Sequence, residues 1–355
     1  ADIVSTGFVH TRNRQRKDMY TLSQISDRWK LTLLTIIQLL IQSIDADTKG
    51  LLPQSAVFLS GSTPMPHSIS DDKWQEYVSN SRVVRIEAGC GRMQNRLITF
   101  EDGTKACARY RLNSNLMQGE IYSYYVAKLL HIENLPPLAV AKADINTEQW
   151  QRVANQVLEA NWQANKLLIL TKYISDSQEV VLPKILQSLD NGETIISPEE
   201  TTSANSDILS QWSDMIVFDY IVGNMDRLVN SLHNKQWNAQ IMESSVHNLA
   251  QKDNKLIFFD NEDGLFHGYR ILDRYSHYHE ISLKSLCVFS QSTAESIFNL
   301  VKSGDASHIL TELISQDQPQ VLQYLPKLSS RTSKILSQRL TNVADHIRGC
   351  VEKYN

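Results

Sequence analysis

Apolar residues between positions 82 and 175 recur with the short period of strands, interrupted by helical stretches. We predict strands and helices at 83–86 (strand), 96–100 (strand), 104–110 (strand), 118–131 (helix), 138–143 (strand), 150–162 (helix) and 166–173 (strand). The dipeptide Asp102-Gly103, between the second and third strands, predicts a hairpin with a type I′ turn. This segment is therefore expected to be rich in strands.

The pattern changes to a helical period after about residue 175. We predict helices at 207–222, 282–303 and 306–316, with one short apolar strand at 256–260. The last helix carries apolar residues at a 4-3-4-3 spacing: Leu336, Leu340, Val343, Ile347 and Cys350. That spacing puts Cys350 on the buried face of the helix, where it could meet Cys287.

The first 80 residues have the weakest pattern. We expect one helix at about 22–44, followed by a Ser/Pro-rich loop at 51–70 that wraps another part of the protein. The apolar run at 31–44 is interrupted by polar residues and is shorter than the ~18 residues that span a bilayer. A buried or amphipathic helix is therefore the better interpretation of this run.

Length and charge exclude several classes of protein. The chain has 355 residues, 42% of them hydrophobic and 21% charged, which is ordinary for a globular protein of roughly two units. With 35 basic and 39 acidic residues, the net charge is −4. This balance argues against a protein that binds nucleic acid by general electrostatic attraction to the phosphate backbone.

The four cysteines lie far apart in the sequence, at Cys90, Cys107, Cys287 and Cys350. No two have the spacing of a zinc ribbon or a thioredoxin motif. Two disulfides in a secretory compartment, with three possible pairings, fit this pattern. Four buried free thiols fit the count equally well, so both interpretations stay open at this point.

Three short motifs contain residues that could bind a ligand or take part in a reaction. Gly89-Cys90-Gly91 lies between two strands, where backbone amides can approach a phosphate, although a G-x-G motif alone is usually only a turn. Asn224–Arg227 follows the apolar helix at 207–222, so Asp226 can be held rigidly to accept a hydroxyl proton. The alternative for this second motif is a helix C-cap with a surface ion pair.

The third motif is the acidic run from Phe258 to Gly264, which places Asp260, Glu262 and Asp263 after a short apolar strand. Three carboxylates so close together repel one another unless a cation or several amide donors are near. Oxygen ligands of this kind suit Mg²⁺ or Mn²⁺. The alternative is a solvated turn.

The order of these motifs along the chain is that of a protein kinase fold. A glycine loop, a basic strand residue and a helix glutamate come first, and a catalytic Asp and a metal-binding Asp follow in a helical part. Arg109 or Lys105 supplies the strand cation, and Glu120 is its partner on the helix. The choice between the two cations stays open.

The sequence closely resembles the Four-jointed family from about residue 74 to residue 355. The resemblance lies in Ile86-Glu87-Ala88-Gly89-Cys90-Gly91-Arg92, Ala106-Cys107-Ala108-Arg109-Tyr110, Gln118-Gly119-Glu120, Gln211-Trp212-Ser213-Asp214, Met225-Asp226-Arg227-Leu228-Val229, Phe259-Asp260-Asn261-Glu262, His267-Gly268-Tyr269-Arg270, Cys287-Val288-Phe289 and Cys350-Val351-Glu352-Lys353-Tyr354. These motifs together are highly specific, whereas residues 1–70 show no match.

The resemblance implies an α+β, two-lobed protein-kinase-like fold, with a small strand-rich N-lobe at 82–175 and a larger helical C-lobe at 176–355. Residues 1–81 are then an N-terminal extension. It also implies a Golgi-lumenal or secreted Ser/Thr kinase that uses ATP with Mn²⁺ or Mg²⁺. The family's enzymes are normally held by a type II membrane anchor, which we do not find in this sequence. Its substrates are cadherin repeats of the Fat and Dachsous type, in planar polarity and growth control.

By position, the resemblance makes Asp226 the catalytic Asp and Asp260 a metal ligand. Ordinary kinases carry a second metal-binding Asn five residues after the catalytic Asp, where this chain has Ser231 preceded by Asn230. Asn230 is therefore the predicted second metal ligand. Glu262 is either a third metal ligand or a turn carboxylate.

The remaining residues that the resemblance assigns bind the nucleotide or form disulfides. Arg109 and Glu120 place the phosphates, and the loop of Gly89 and Gly91 covers them. An oxidising lumen agrees with a Cys287–Cys350 disulfide, and Cys90–Cys107 is the weaker pairing.

Two other functions stay open. The chain could be a non-catalytic, pseudokinase-like module that binds cadherins, although the presence of Asp226 and Asp260 argues against it. It could also be a glycan kinase, because acceptor choice lies in loops such as 176–205, which the sequence does not interpret. The sequence does not indicate an oligomeric state.

Overall fold

Five short strands pair into one sheet in the segment where the sequence predicts strands. The computed structural model describes residues 55–59, 71–91, 93–163, 166–189 and 193–354. The strands of these residues are β1 (Phe58–Leu59), β2 (Val83–Ala88), β3 (Arg96–Phe100), β4 (Lys105–Arg109), β5 (Leu138–Lys142), β6 (Leu167–Lys172), β7 (Gln178–Val181), β8 (Ser245–Lys252), β9 (Lys255–Phe258) and β10 (Phe289–Ser290). The five-stranded sheet has the order β2-β3-β4-β6-β5 and is antiparallel throughout.

Helices dominate after residue 200. The helices of the described residues are α1 (Asp71–Asn80), α2 (Ser114–Leu129), α3 (Ala154–Glu159), α4 (Lys184–Gln187), α5 (Ser206–Val222), α6 (Leu228–Asn234), α7 (Phe266–Lys284), α8 (Gln291–Ser303), α9 (Ala306–Asp317) and α10 (Ser330–Tyr354). Strands β7, β8 and β9 form a second antiparallel sheet, and β1 pairs in parallel with β10. Among the described residues, no helix is both long enough and apolar enough to cross a membrane.

The core of the sheet-rich part is aromatic. Trp74 of α1 is fully buried there, and its indole N–H donates to the carbonyl oxygen of Leu170 at 2.9 Å. The ring of Phe100 lies 6.2 Å from that of Trp74, and Trp150 lies 6.3 Å from Trp162. Helix α1 therefore packs on the sheet although it precedes the boundary proposed at residue 82. The proposed domain boundaries stay predictions.

Helix α5 is the centre of the helical part. All its residues from Leu209 to Val222 are buried, which explains why apolar residues occur around the whole helix rather than on one face. Gly223 ends the helix in the left-handed conformation, with φ 73°. The helix thus stops at a fixed point, three residues before Asp226.

Two elements differ from the sequence prediction. The turn after β3 is not type I′, because only Gly103 of its two central residues has a positive φ (86°). A wider loop forms instead, in which the N–H groups of Gly103 and Phe100 bond the oxygens of Phe100 and Thr104 at 2.9 and 2.8 Å. The predicted helix at 282–303 is also wrong as a single element, since strand β10 interrupts it.

That interruption has a tertiary cause. The Cys287 N–H donates to the Ile196 oxygen at 2.7 Å, and the Phe289 N–H donates to the Val57 oxygen at 2.8 Å. These partners are distant in sequence, so local periodicity could not reveal them. The sequence also gave no prediction for β7, β8 or α7. The predicted helix at 22–44 and most of the predicted loop at 51–70 lie outside the described residues.

Candidate active site

A cleft of about 620 Å³ lies between the five-stranded sheet and the loops of the helical part. It brings together residues that are up to 170 positions apart in the sequence. The described residues that line it are Cys90, Gly91, Cys107, Arg109, Thr171, Lys172, Tyr173, Ile174, Ser177, Asp226, Asn230, His247, Asn248, Leu249, Phe259 and Asp260. Most of the residues that the sequence assigns to a site therefore lie in one place.

The glycine loop forms one wall of the cleft. Cys90 and Gly91 have positive φ angles of 62° and 85°, and a β-carbon at Gly91 would meet no heavy atom within 4 Å. The Cys90–Cys107 disulfide, with Cα atoms 5.6 Å apart, fastens this loop to β4. Gly89 has a different reason to be small, since a β-carbon there would lie 3.0 Å from that of Leu97.

Arg109, at the end of β4, is buried among three carboxylates. Its guanidinium bonds Asp260 and lies 3.6 Å from Glu120 and 3.9 Å from Glu262. Burial lowers the pKa of Arg109, but attraction to these carboxylates outweighs it, so the net pKa is raised. Lys105 is exposed at the other end of the strand. Of the two candidate cations, Arg109 is thus the one in the cleft.

Glu120 of helix α2 joins the two parts of the molecule. Its carboxylate accepts a hydrogen bond from the backbone N–H of Asn261 at 2.7 Å. Burial raises the pKa of Glu120, and the positive charge of Arg109 opposes that rise. Glu120 therefore positions both the strand cation and the loop that carries Asp260.

Glu262 is buried outside the described lining of the cleft. Its side chain is 2% exposed and accepts from Arg111 Nε at 2.8 Å. Arg111 also donates from Nη1 to Asn95 Oδ1 at 2.7 Å. A solvated turn carboxylate is therefore the wrong interpretation of Glu262. The geometry favours an ion pair that fixes the loop, and its role as a metal ligand stays a prediction.

Asp226 lies in the short loop between α5 and α6. Its N–H donates to Asn224 Oδ1 at 3.1 Å, and Asn248 Nδ2 lies 3.5 Å from Asp226 Oδ2. Asp226 is one of the residues that line the cleft. Asn248, on the strand β8 that the sequence did not predict, is a site residue that sequence reasoning missed.

Arg227 fixes this loop from behind. Its side chain is fully buried and bonds groups on two segments: Asp219 Oδ1 on α5, and both Asn261 Oδ1 and, at 2.8 Å, the Phe259 oxygen on the loop after β9. Burial raises the pKa of Asp219 to about 6, although Arg227 acts against that rise. The alternative of a surface ion pair at this motif is wrong.

Oxygen donors suited to a hard divalent ion line the same cleft. Asp260 follows β9 and has φ 52°, an uncommon conformation for a residue with a β-carbon. Asn230 lines the same cleft, and its Oδ1 accepts from Asn234 Nδ2 at 2.6 Å. Ser231 is buried, with its hydroxyl 3.5 Å from the Arg227 oxygen. Asp260 and Asn230 thus fit Mn²⁺ or Mg²⁺ by donor type.

The fold is similar to the known structures of a Golgi casein kinase and of hydra Fam20. The Golgi casein kinase with Mn/ADP bound aligns with 80% of this chain and 76% of its own, at a TM-score of 0.52 and 13% identity. Hydra Fam20 with sugar aligns with 86% of this chain and 97% of its own, at a TM-score of 0.52 and 14% identity. The protein therefore has the kinase-like fold, and the predicted α+β class is confirmed.

Sequence relatives identify the family within that class. The Four-jointed box protein middle domain matches residues 70–353. Extracellular serine/threonine protein kinase four-jointed of Drosophila melanogaster is 36% identical over 78% of this chain, and Four-jointed box protein 1 of Xiphophorus maculatus is 39% identical over 80%. The chain belongs to the Four-jointed family, as the motifs predicted. It spans 56% of the Drosophila protein and 67% of the Xiphophorus protein.

Proposed function

We propose that this chain is the catalytic part of a secretory-pathway Ser/Thr protein kinase that transfers the γ-phosphate of ATP to hydroxyl groups in cadherin repeats. The observation that carries the proposal is that Arg109, Asp226 and Asp260 line one cleft. The Drosophila relative is named as an extracellular Ser/Thr kinase, which supports the same activity here.

In this proposal Asp226 acts on the acceptor. A carboxylate held by backbone and Asn248 contacts can orient a hydroxyl group and accept its proton as the phosphoryl group is transferred. Arg227 keeps Asp226 in position through its bonds to the Asp260 loop and does not itself line the cleft. Its role is therefore positioning.

The nucleotide phosphates would lie between the glycine loop and Asp260. Arg109, held by Glu120, supplies a fixed positive charge, and the backbone at Cys90 and Gly91 covers the phosphates. Asp260 and Asn230 would hold Mn²⁺ or Mg²⁺, whose chemistry is to offset the negative charge of the phosphates. The Mn/ADP complex of the Golgi casein kinase supports this choice of cofactors.

The proposed location is the Golgi lumen, with a type II membrane anchor in the full-length protein, or the extracellular space after secretion. Two disulfides, Cys90–Cys107 and Cys287–Cys350, support an oxidising compartment. The Golgi kinases of similar fold support the same location.

The test is phosphate transfer from γ-labelled ATP with Mn²⁺ to a purified cadherin repeat. We expect Asp226→Ala and Asp260→Ala to lower the rate by about 10²–10⁴-fold, and Glu159→Gln, an exposed control, to leave it unchanged. Equal rates in all variants would show that the site assignment is wrong. ATP–Mn²⁺ binding without transfer would support a cadherin-binding module, and transfer only to a glycosylated acceptor would support a glycan kinase.

A further inference from the structure

Three buried side chains connect the glycine loop to the loop that carries Asp260. Asn95 Nδ2 donates to the carbonyl oxygen of Cys90 at 2.7 Å, and Asn95 Oδ1 accepts from Arg111 Nη1 at 2.7 Å. Arg111 Nε in turn donates to Glu262 Oε2 at 2.8 Å, and Glu262 follows Asp260 by two residues. Asn95, Arg111 and Glu262 are called the Asn95 network below, and none of them is more than 5% exposed.

Burial makes the geometry of the Asn95 network specific. A buried polar atom that loses its partner costs free energy, so each hydrogen bond holds the next side chain in place. Asn95 uses both atoms of its amide, as a donor to the glycine loop and as an acceptor from Arg111. The two loops are therefore linked behind the cleft, by side chains that are not among its described lining residues.

The bond from Asn95 also sets the orientation of one peptide group. Cys90 has a positive φ of 62°, a conformation that a residue with a β-carbon keeps only when its surroundings stabilise it. The carbonyl oxygen of Cys90 and the N–H of Gly91 belong to one trans peptide, so they point in opposite directions. Cys90 and Gly91 line the cleft, whereas Asn95 does not. With the oxygen held by the buried Asn95, the N–H of Gly91 is turned to the opposite side.

The Cys90–Cys107 disulfide does not fix this orientation by itself. It joins the side chain of Cys90 to β4, and a peptide group can rotate between its two Cα atoms while that side chain stays in place. A rotated peptide would present a carbonyl oxygen to a phosphate, which repels it, in place of an N–H donor, which binds it. The hydrogen bond from Asn95 opposes that rotation.

We propose that Asn95 is a positioning residue for the nucleotide. It holds the Cys90–Gly91 peptide with its N–H available to a phosphate group, and the rest of the Asn95 network fixes that peptide relative to Asp260. This inference rests on the proposed function, because it takes the cleft to bind ATP. Asn95 belongs to none of the motifs that the sequence indicated, and it acts through the groups that it holds.

The experiment measures equilibrium binding of two ligands to the full chain by titration calorimetry. One ligand is a non-hydrolysable ATP analogue with Mn²⁺, and the other is adenosine, which has no phosphate. Asn95→Ala removes both bonds of the amide, and we expect the dissociation constant for the analogue to rise about tenfold or more, as for the loss of one hydrogen bond to a charged group. Adenosine should bind as it does to the parent. An equal loss for both ligands would show a general structural effect and overturn the inference.

Asn95→Asp separates the two bonds of the amide. The introduced carboxylate still accepts from Arg111, but at neutral pH it cannot donate to the Cys90 oxygen. We expect the same loss of affinity for the analogue, again without a loss for adenosine. Parent affinity in this variant would show that the bond to Cys90 has no such role.

Asn155, exposed on α3, provides the matched controls. Asn155→Ala and Asn155→Asp should bind both ligands as the parent does. Thermal melting checks that each variant is folded, and Asn95→Asp tests the inference by itself if Asn95→Ala does not fold.

A double-mutant cycle tests the connection to Asp260. Glu262→Gln weakens the bond from Arg111. If the Asn95 network acts as one unit, Asn95→Ala and Glu262→Gln together should raise the dissociation constant by less than the product of their separate effects. An effect equal to that product would show that the two loops act independently, and the proposed connection would be wrong.

The binding measurement also separates this inference from the proposed function. If the parent binds the analogue but transfers phosphate to no acceptor, the proposed kinase activity is wrong, and the comparison of variants still decides the role of Asn95. If the parent binds neither ligand, both are wrong.

Discussion

Gly119 of helix α2 touches the backbone at Glu262: a β-carbon at Gly119 would lie 2.2 Å from the Glu262 oxygen and 2.9 Å from that of Gly264. Helix α2 and the loop that carries Asp260 can approach this closely only because residue 119 has no side chain. The contact sets the distance at which Glu120, the next residue, can bond Asn261 and Arg109.

Gly119→Ala adds only one methyl group, but it should impair both stability and catalysis. We expect overpacking to lower the free energy of unfolding by about 1–3 kcal/mol, and the displacement of Glu120 to lower kcat/KM at least tenfold. Urea denaturation and steady-state transfer rates measure the two effects. Gly349→Ala is the control, since a β-carbon in that part of α10 would meet no atom within 4 Å. It should stabilise the protein by about 0.5–1 kcal/mol, and equal effects at both glycines would refute the argument.

Arg227→Met tests the buried network behind Asp226. Removing this cation leaves Asp219 buried without its charged partner, so we expect the free energy of unfolding to fall by about 3–5 kcal/mol. Adding Asp219→Asn should recover part of that loss because it removes the uncompensated charge. Arg152→Met breaks an exposed pair with Glu101 at 2.9 Å and should cost less than about 1 kcal/mol. If the two Arg variants were equally stable, the network would have no structural role.

Asp214 should make stability depend on pH. It is buried and accepts bonds from the hydroxyls of Ser290 and Thr293 at 2.7 and 2.9 Å. Burial raises its pKa to about 6, against the opposing effect of those two hydrogen bonds. The folded state therefore holds this proton more tightly than the unfolded state does, so stability is lost as pH rises from about 4 to 6.

Asp214→Asn should remove that contribution. A pKa raised by about two units corresponds to roughly 3 kcal/mol, so the variant should gain up to this amount relative to the parent between pH 4 and pH 7. Denaturation in urea at several pH values measures the difference, with Glu159→Gln as the exposed control. A parallel pH dependence of variant and parent would contradict the assignment.

The two disulfides should differ in what they control. Cys287 and Cys350 close a loop of 63 residues and Cys90 and Cys107 one of 17, so the chain-entropy relation predicts losses of about 4 and 3 kcal/mol when each pair is changed to Ser. Only Cys90 and Cys107 line the cleft among these four. We expect KM for ATP to rise in the Cys90→Ser/Cys107→Ser variant and to stay unchanged in the other. A rise in both would show that the remote disulfide also shapes the site.

Local sequence patterns were sufficient to predict many of the strands and helices. The period-2 strands of the small sheet, the apolar helix α5 and the 4-3-4-3 spacing of α10 depend on residues that are neighbours in sequence, and each forms near its predicted position. The motif order was equally informative, because Gly91, Arg109, Asp226 and Asp260 had to meet if the chain formed two lobes around one cleft. Their roles in transfer stay predictions.

Tertiary contacts decided the rest. Strand β10 exists because Cys287 and Phe289 bond distant backbone groups, and Glu262 is buried because Arg111 pairs with it. Asn248 reaches the cleft only after β8 pairs with β9. The sequence by itself determined the glycine loop, Asp226 and Asp260 as parts of the site, together with the strand or helix that precedes each, since these follow from motif order, local periodicity and residue type. Only the tertiary structure decided which cation, which carboxylates and which strand ends face the cleft, because burial and pairing depend on residues far apart in the chain.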